Sequence, residues 1–397
     1  MARALRVLML VTDAGSGHRS AAQAIEAALL QAHHHDVQVT IANALHHPTA
    51  PSVGRSGENL YLKMHAGAPQ EYDTMNGWLD QPLGWLALEQ IAVNFVRAPL
   101  REVLVETAPD VVIGTFPVYT AAVADVYRNQ PTRPLLMSVV TDLGGVHRLW
   151  FSKHDDMCAV PTSMVRTQAI NAGIGPNRLL ETGIPVNPRF GSPRADRAAL
   201  RRDLGWSQDL PTLLLLGGGA GVGPLEELAL GLSAARLPMQ LAVVAGRNRE
   251  LAARLRAHAW QIPVHIYDFV PLPDLMHAAD IVASKPGGLS VSEALAAGRP
   301  LLLHGAPMAQ EAGNLQYVAS RGAGVYAGGT AAFVAQTERW LADRAALARA
   351  TNAARSIGRP GAARQVAEIA YARGIAHPSP TPLTVRRTIG ERLAEWR

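Results

Sequence analysis

A single cysteine, Cys158, stands among 397 residues, so no disulfide can close within the chain and no cysteine-based zinc site can assemble. A reducing, cytoplasmic setting is what this implies, since disulfide use follows redox compartment. Charge is also sparse: 17% of residues are charged and 48% are apolar, a balance that builds packed cores rather than disorder. No apolar run reaches the roughly 18 residues of a membrane span, so contact with a bilayer is expected to be peripheral. The opening Met1-Ala2-Arg3 and Leu5–Val11 imitate a short signal sequence. They run into Asp13 and a glycine loop without a small-residue cleavage site, which reads as a buried strand. The basic excess is mild, 37 residues against 32 acidic, for a formal charge of +5. It is dispersed, and neither a basic helix nor an aromatic sheet motif accompanies it, which argues against nucleic acid despite a pI near 9.6. An anionic membrane surface or a phosphorylated substrate suits it better.

What is present is an alternation of short apolar runs and helical patterns. Leu5–Val11, Val37–Ala42, Val111–Ile113, Leu135–Val140 and Met157–Val160 read as buried parallel strands, with a helix at Ser20–Gln31. A charged helix over Arg194–Leu204 and a polar break at Trp206–Asp209 follow. The alternation then restarts with Thr212–Leu216, Met239–Ala245, Val264–Tyr267, Ile281–Ala283 and Pro300–Leu303. This predicts two Rossmann-like, doubly wound α/β domains facing a cleft, with a boundary near residues 188–210. Residues 1–190 form the first domain and 210–370 the second, leaving a tail over 371–397. His33-His34-His35 reads as a solvated helix end rather than a metal site. Residues 52–105 break the pattern, interleaving Tyr61, Met64, Trp78, Trp85, Leu86 and Phe95 with Lys63, Arg97 and Arg101. Such amphipathic stretches suit a lipid interface, or equally an insertion packing on its own domain.

Three loops carry chemistry. Thr12-Asp13-Ala14-Gly15-Ser16-Gly17-His18 follows the first strand and opens the first helix. Glycines there let backbone approach an anion at a helix N-terminus, so Gly15, Ser16 and Gly17 are placed at an acceptor or phosphate loop. His18, at the sheet edge where open α/β folds bind ligands, is a candidate general base; the alternative is a capping histidine. Gly217-Gly218-Gly219-Ala220-Gly221-Val222-Gly223 opens the second half in the same way. It lacks the Lys-Ser/Thr of a nucleotide P-loop, and the following strand ends in Gly246-Arg247-Asn248 instead of the acid of a dinucleotide site. Gly217, Gly218, Gly246 and Arg247 are assigned to a nucleotide-sugar.

The third stretch runs Ser284-Lys285-Pro286-Gly287-Gly288-Leu289-Ser290-Val291-Ser292-Glu293, and then Gln310-Glu311-Ala312-Gly313-Asn314. Gly287, Gly288 and Leu289 precede a helix expected to be capped by Ser290, another anion seat. Glu293, expected on its first turn, can accept the two vicinal hydroxyls of a ribose. Gln310, Glu311 and Asn314 form a cluster suited to pyranose hydroxyls. Phosphate, diol and sugar readers in that order point to a nucleotide-sugar.

With these residues in view, the sequence resembles the family of monogalactosyldiacylglycerol synthases and processive diacylglycerol glucosyltransferases, with a more distant likeness to the peptidoglycan lipid-II synthase. The likeness covers roughly residues 5–330. It rests on Gly15–His18 with Ala21-Ala22, Thr141-Asp142 with His147 and Trp150-Phe151, Gly183–Val186, Phe269-Val270 and Lys285–Asn314. The resemblance implies the glycosyltransferase B fold, with a lipid acceptor on the first domain and a UDP-sugar on the second. It implies an inverting reaction with no metal or other cofactor, helix dipoles and backbone donors serving the diphosphate. It assigns Glu293 to the ribose, Phe269-Val270 to the uracil and His18 to the acceptor hydroxyl. Asp142 and His147 are second candidates for catalysis, and Trp150 is expected near the acceptor, near the lipid face or in the core. In this fold a C-terminal helix often crosses back to the first domain. One departure stands out: Phe116-Pro117 occupies the place of an expected His-Pro.

The expected activity is transfer of galactose or glucose from the UDP-sugar to diacylglycerol or a related lipid, at the cytoplasmic face of an anionic membrane. The competing readings are a UDP-sugar epimerase or hydrolase of the same fold and a non-catalytic nucleotide-sugar or lipid-binding module.

Overall fold

A computed structural model describes residues 3–13, 17–48, 50, 82–219, 221, 223–305 and 309–384, with the side chains of 82–88, 309 and 310 outside the description. Two parallel six-stranded sheets organise it. The first holds β1 (Leu5–Leu10), β2 (Val37–Ala42), β3 (Val111–Gly114), β4 (Leu135–Val139), β5 (Met157–Val160) and β6 (Leu179–Glu181), in the order β2-β1-β3-β4-β5-β6. The second holds β7 (Thr212–Leu216), β8 (Gln240–Val244), β9 (Val264–Tyr267), β10 (Ile281–Ser284), β11 (Leu301–Leu303) and β12 (Gly324–Tyr326), in the order β12-β11-β10-β7-β8-β9. β6 and β12 have no counterpart among the expected strands. Each is a three-residue edge strand, too short for an apolar run to register.

Strand β1 shows why the runs are continuously apolar. Val7 and Met9 face one core, beneath the helix Gly17–His33, whereas Leu8 and Leu10 face the other, beneath the helix Pro82–Thr107. Both faces are covered, so both residue parities must be apolar. The Pro82 helix inserts Val93, Val96, Leu100, Val103 and Leu104 into that second core, at helical spacing along one face.

The strand order reverses between β1 and β3 in the first sheet and between β7 and β10 in the second. Ligands of open α/β sheets bind at such points, beyond the carboxyl ends of the strands. The three chemical loops lie at these two places.

Two boundaries differ from expectation. Residues 188–210 are a folded part of the second unit rather than a linker: Phe190, Leu200 and Trp206 share a core with β7, β8 and β10. The buried Arg201 guanidinium stitches this segment down, donating to the carbonyls of Ser207, Gln208, Leu210 and Ala278 and to Asp280 at 2.8 Å. The helix there is shorter than predicted, Arg197–Asp203, because Asp196 caps it by accepting from the Ala199 N–H at 2.7 Å. The crossing-back helix is Ala362–Ala376 and begins before residue 371: Ala363, Val366, Ala367 and Ala370 are buried in the first domain's core. His33 meets it, stacked on Tyr371 at 3.7 Å with Nε2 3.3 Å from Glu368.

Tyr61, Lys63, Met64 and Trp78 lie outside the described residues, as do the side chains of Trp85 and Leu86. Phe95 packs on the core, Arg97 pairs with Asp125 at 3.0 Å and Arg101 donates to the Thr384 carbonyl at 2.8 Å. Among the described residues, no helix is long and apolar enough to cross a membrane, and no three His, Cys, Asp or Glu side chains form a group that could hold a metal.

Candidate active site

The wall on the first domain is built at the start of the Gly17 helix. His18 is its second residue, and its Nδ1 lies 2.6 Å from the Thr115 carbonyl oxygen at the end of β3. A carbonyl only accepts, so Nδ1 carries the proton and Nε2 the lone pair. The Thr115 hydroxyl returns a bond to the His18 carbonyl at 3.0 Å, and the Thr141 hydroxyl stands 3.3 Å from Nδ1. Phe116 packs edge-on against the imidazole at 5.2 Å, and Trp150 lies tilted at 6.2 Å. The Phe116-Pro117 departure therefore supplies an apolar flank to His18. Val118 just beyond has φ 81°, a costly conformation for a β-branched residue that only the surrounding packing can impose. Asp13 braces the entry to the loop, its carboxyl held below the usual range chiefly by Arg19. Gly15 and Ser16 lie outside the described residues.

Two more candidate residues stand on this wall. His147 Nδ1 accepts the Leu149 N–H at 3.2 Å and caps a short helical turn, Arg148–Trp150. In this geometry the lone pair of that nitrogen is committed to the cap and the proton falls on Nε2. Trp150, 5% exposed, packs with Val146, Phe151 and Val160, so it is a core residue that flanks His18 and not part of a lipid face.

The wall on the second domain is the helix Gly288–Ala296. Its N-cap is Gly287, with no side-chain cap, so Ser290 falls inside the first turn and Glu293 in the second. This corrects both expected positions: the Gly287 backbone leaves the helical region at ψ 136°, one turn earlier than a Ser290 cap requires. The first N–H groups of this helix remain to point at an anion. Glu293 makes no hydrogen bond or ion pair among the described residues, and burial pushes its carboxyl up to about 8. Below it, Gly246 at φ +64° allows the two loops of this domain to interlock, since a Cβ there would sit 2.5 Å from the Gly218 carbonyl oxygen. Gly217 donates to Val244 at 3.1 Å and Arg247 to Gly219 at 3.2 Å, which tie the pair of loops to β8. The Arg247 guanidinium lies 4.7 Å above the Phe269 ring, and Phe269 is 60% exposed, an aromatic face offered to the cleft edge. Val270 packs behind it on the core.

The helix Ala309–Ser320 completes the site. Glu311 is buried and its Oε1 takes a 2.8 Å bond from Lys285 Nζ. The Gln310 side chain lies outside the description. Asn314 is 0% exposed and reaches no open space. Its Nδ2 donates to Asp142 Oδ1 and to the Pro286 carbonyl, each at 3.0 Å, and its Oδ1 accepts the Leu143 N–H at 2.6 Å. These three bonds engage both N–H groups of the amide and one of the two lone pairs of its oxygen. Asp142, its partner, is ringed by protein, and this desolvation pushes its carboxyl up to about 6.

The walls meet closely. A Cβ on Gly17 would touch Leu289 at 3.4 Å, and one on Gly288 would fall inside the Thr141 carbonyl, 3.2 Å from Asp142 Oδ1. Gly313 stands against the Gly144 carbonyl in the same way. The sequence reading missed Gly144, Gly313 and Thr115 as site residues; the only trace was a pair of glycines in one loop and a Gly-Asn in the other.

An imidazole at one helix N-terminus stands close to a second helix N-terminus where two doubly wound domains meet. That is the architecture of the glycosyltransferase B class. The model of the monogalactosyldiacylglycerol (MGDG) synthase family matches residues 18–186, and that of the glycosyltransferase family 28 C-terminal domain matches residues 212–334. The chain belongs to the monogalactosyldiacylglycerol synthase family. It is 31% identical to monogalactosyldiacylglycerol synthase 3 of Arabidopsis thaliana, over 81% of this chain and 70% of that protein. Against synthase 1 of the same plant it is 30% identical over 82% of its length and spans 62% of that relative. Among solved structures, Acinetobacter baumannii MurG superposes with a TM-score of 0.60 at 16% identity, covering 93% of this chain and 99% of that one. A UDP-GlcNAc 2-epimerase from Neisseria meningitidis shares the fold at a TM-score of 0.55 and 14% identity, covering 93% and 100%.

Proposed function

We propose that this protein is an inverting hexosyltransferase that moves galactose or glucose from a UDP-sugar to diacylglycerol or a related lipid alcohol, working peripherally on the cytoplasmic face of an anionic membrane. The observation that carries the reading is His18, whose Nδ1 lies 2.6 Å from the Thr115 carbonyl oxygen, on a helix whose first residue, Gly17, is so close to the start of the Gly288 helix that a Cβ on it would meet Leu289 at 3.4 Å. The acceptor hydroxyl attacks the anomeric carbon while His18 Nε2 takes its proton. The bond from that carbon to the diphosphate oxygen breaks, and UDP leaves with the electron pair. Free N–H groups and the dipole of the Gly288 helix meet the charge that develops there, which lets the reaction run without a bound metal. Uracil stacks at Phe269, the ribose diol donates to Glu293, and Gln310 and Glu311 are assigned to the sugar. A UDP-sugar epimerase has a different need, carboxylates on both sides of the ring, and the first-domain wall offers an imidazole.

The direct test is incubation of the full chain with radiolabelled UDP-glucose and UDP-galactose, separately, on diacylglycerol vesicles with and without anionic lipid and EDTA. Label is expected in the organic phase with one or both donors, undiminished by EDTA and greater on anionic vesicles. Label released into water without any glycolipid would favour a hydrolase or epimerase instead.

A second outcome follows from Glu293. Replacing it by Ala is expected to weaken UDP binding by about 1.5–3 kcal/mol, the range for hydrogen bonds to a charged group. Its carboxyl stands near 8 before ligand arrives, so it is mostly neutral at pH 7, and a ribose diol donating to it favours the ionised form. UDP affinity should therefore rise between about pH 7 and pH 8.5, with a proton released on binding near neutrality. Calorimetry in buffers of different ionisation enthalpy reads that proton, and Glu293→Gln should abolish it. Unchanged affinity in both variants would move the ribose elsewhere.

A further inference from the structure

Thr115 is 0% exposed and follows β3 directly, where the strand order of the first sheet reverses. Its N–H donates to the Leu10 carbonyl at 3.1 Å, which ties it to the end of β1. Its other two polar groups both go to His18. The carbonyl accepts from Nδ1 at 2.6 Å, and the hydroxyl donates to the His18 carbonyl at 3.0 Å. One residue thus grips another at both ring and backbone. Nδ1 has a second neighbour of a different kind: the Thr141 hydroxyl stands 3.3 Å away, and a hydroxyl can donate as well as accept. Thr141 is 3% exposed on the loop after β4, and among the described residues its hydroxyl has no other hydrogen-bond partner. Its carbonyl packs against Gly288 of the second domain, which holds the loop beside the ring.

The two threonines call for opposite tautomers. Bonded to the Thr115 carbonyl, the ring carries its proton on Nδ1 and keeps a lone pair on Nε2. Bonded to a donating Thr141 hydroxyl, it carries the proton on Nε2, and a ring of that kind cannot take the proton of an acceptor hydroxyl there. We infer that Thr115 is a positioning residue that selects the base-competent tautomer of His18 against the one Thr141 would stabilise. The inference rests on the hexosyl transfer proposed above. The Thr115 hydroxyl is the selecting group: by anchoring on the His18 carbonyl it keeps its own carbonyl within 2.6 Å of Nδ1, closer than the competing hydroxyl. Removing it leaves no buried carbonyl without a partner, because the helix supplies an N–H to the His18 carbonyl as well.

The test uses the full chain with Thr115→Val, Thr115→Ser, and Thr115→Val combined with Thr141→Val. Nitrogen-15 NMR of the histidine rings, at alkaline pH where imidazole is neutral, reads the tautomer without any substrate. The His18 signal is identified by its loss in His18→Ala. Wild type should show the Nδ1–H form alone. Thr115→Val should show a mixture, and its kcat should fall about three- to tenfold, the effect of one ordinary hydrogen bond. That fall should match the fraction of His18 that leaves the Nδ1–H form, with UDP affinity near wild type. Thr115→Ser keeps the hydroxyl and should restore both readings. The double variant has no hydroxyl to donate to Nδ1, so it should return to one tautomer and regain most of the lost kcat. An unchanged tautomer in Thr115→Val would overturn the inference, as would a lowered kcat that Thr141→Val does not recover. A shifted tautomer with wild-type kcat would uphold the selection and take the base role away from His18.

Discussion

His18→Ala is expected to lower kcat by about 10²–10⁴-fold, the usual cost of removing a general base, while UDP affinity stays near wild type. The asymmetry follows from where each contact is made. His18 belongs to the first domain, whereas Glu293, Phe269 and the Gly288 helix, proposed above for the nucleotide, all belong to the second. The Thr115 carbonyl fixes the tautomer at 2.6 Å, and Phe116 and Trp150 restrain the ring, so the proposed base is oriented before substrate arrives. An imidazole is suited to the task because its proton affinity lies near neutral pH. Single-turnover assays on mixed vesicles, paired with calorimetry for UDP, separate the two quantities. A variant retaining wild-type kcat would remove His18 from the chemistry and turn the search to Asp142.

Gly313→Ala is expected to reduce kcat/KM by at least about 10²-fold although it adds one methyl group. The added carbon would overlap the Gly144 carbonyl, which is backbone and cannot rotate aside. The domains must then part at the place where Asn314 binds the opposite loop, and His18 retreats from the donor. The second domain should still fold and bind UDP, because the clash lies wholly between the domains. Gly361→Ala serves as the control, since a Cβ there meets nothing within 4 Å and activity should be unchanged. Equal activities for the two variants would mean that the close approach of the walls is not required for turnover.

Much of the fold was legible because parallel strands covered on both faces must be apolar throughout; the Val37–Ala42 and Thr212–Leu216 runs match their strands residue for residue. Helix starts were harder. Ser290 looked like a cap because hydroxyl side chains favour that position, yet Gly287 turns the chain first and shifts Glu293 into the second turn. The site residues were recognisable by type, but their partners were not. Asn314 beside Gln310 and Glu311 read as one polar cluster, and only the packed loop at Asp142 and Leu143 shows where its hydrogen bonds go. His147 likewise offers the same imidazole as His18 in sequence, and its cap at Leu149 emerges only once the turn has formed. Residues 188–210 looked like a linker because charge marks exposed chain, whereas Arg201 is buried by satisfying four carbonyls and an aspartate. Contacts that depend on a distant stretch leave little local trace.

The Ala362 helix sets an order of assembly. Its alanines and Val366 close the face of the first sheet that Val7, Met9 and Ile113 line, about 250 to about 355 residues upstream in synthesis. A chain emerging from the ribosome therefore completes the second domain's sheet while the first still exposes the part of one apolar face that the Gly17–His33 helix leaves uncovered. That half must wait, in contact with solvent or a chaperone, until the Ala362 helix docks. Such distant closure makes folding slow and ties the stability of the N-terminal half to an intact C-terminus. A protease nick just before residue 362 would strike the half of the molecule lying farthest away in sequence.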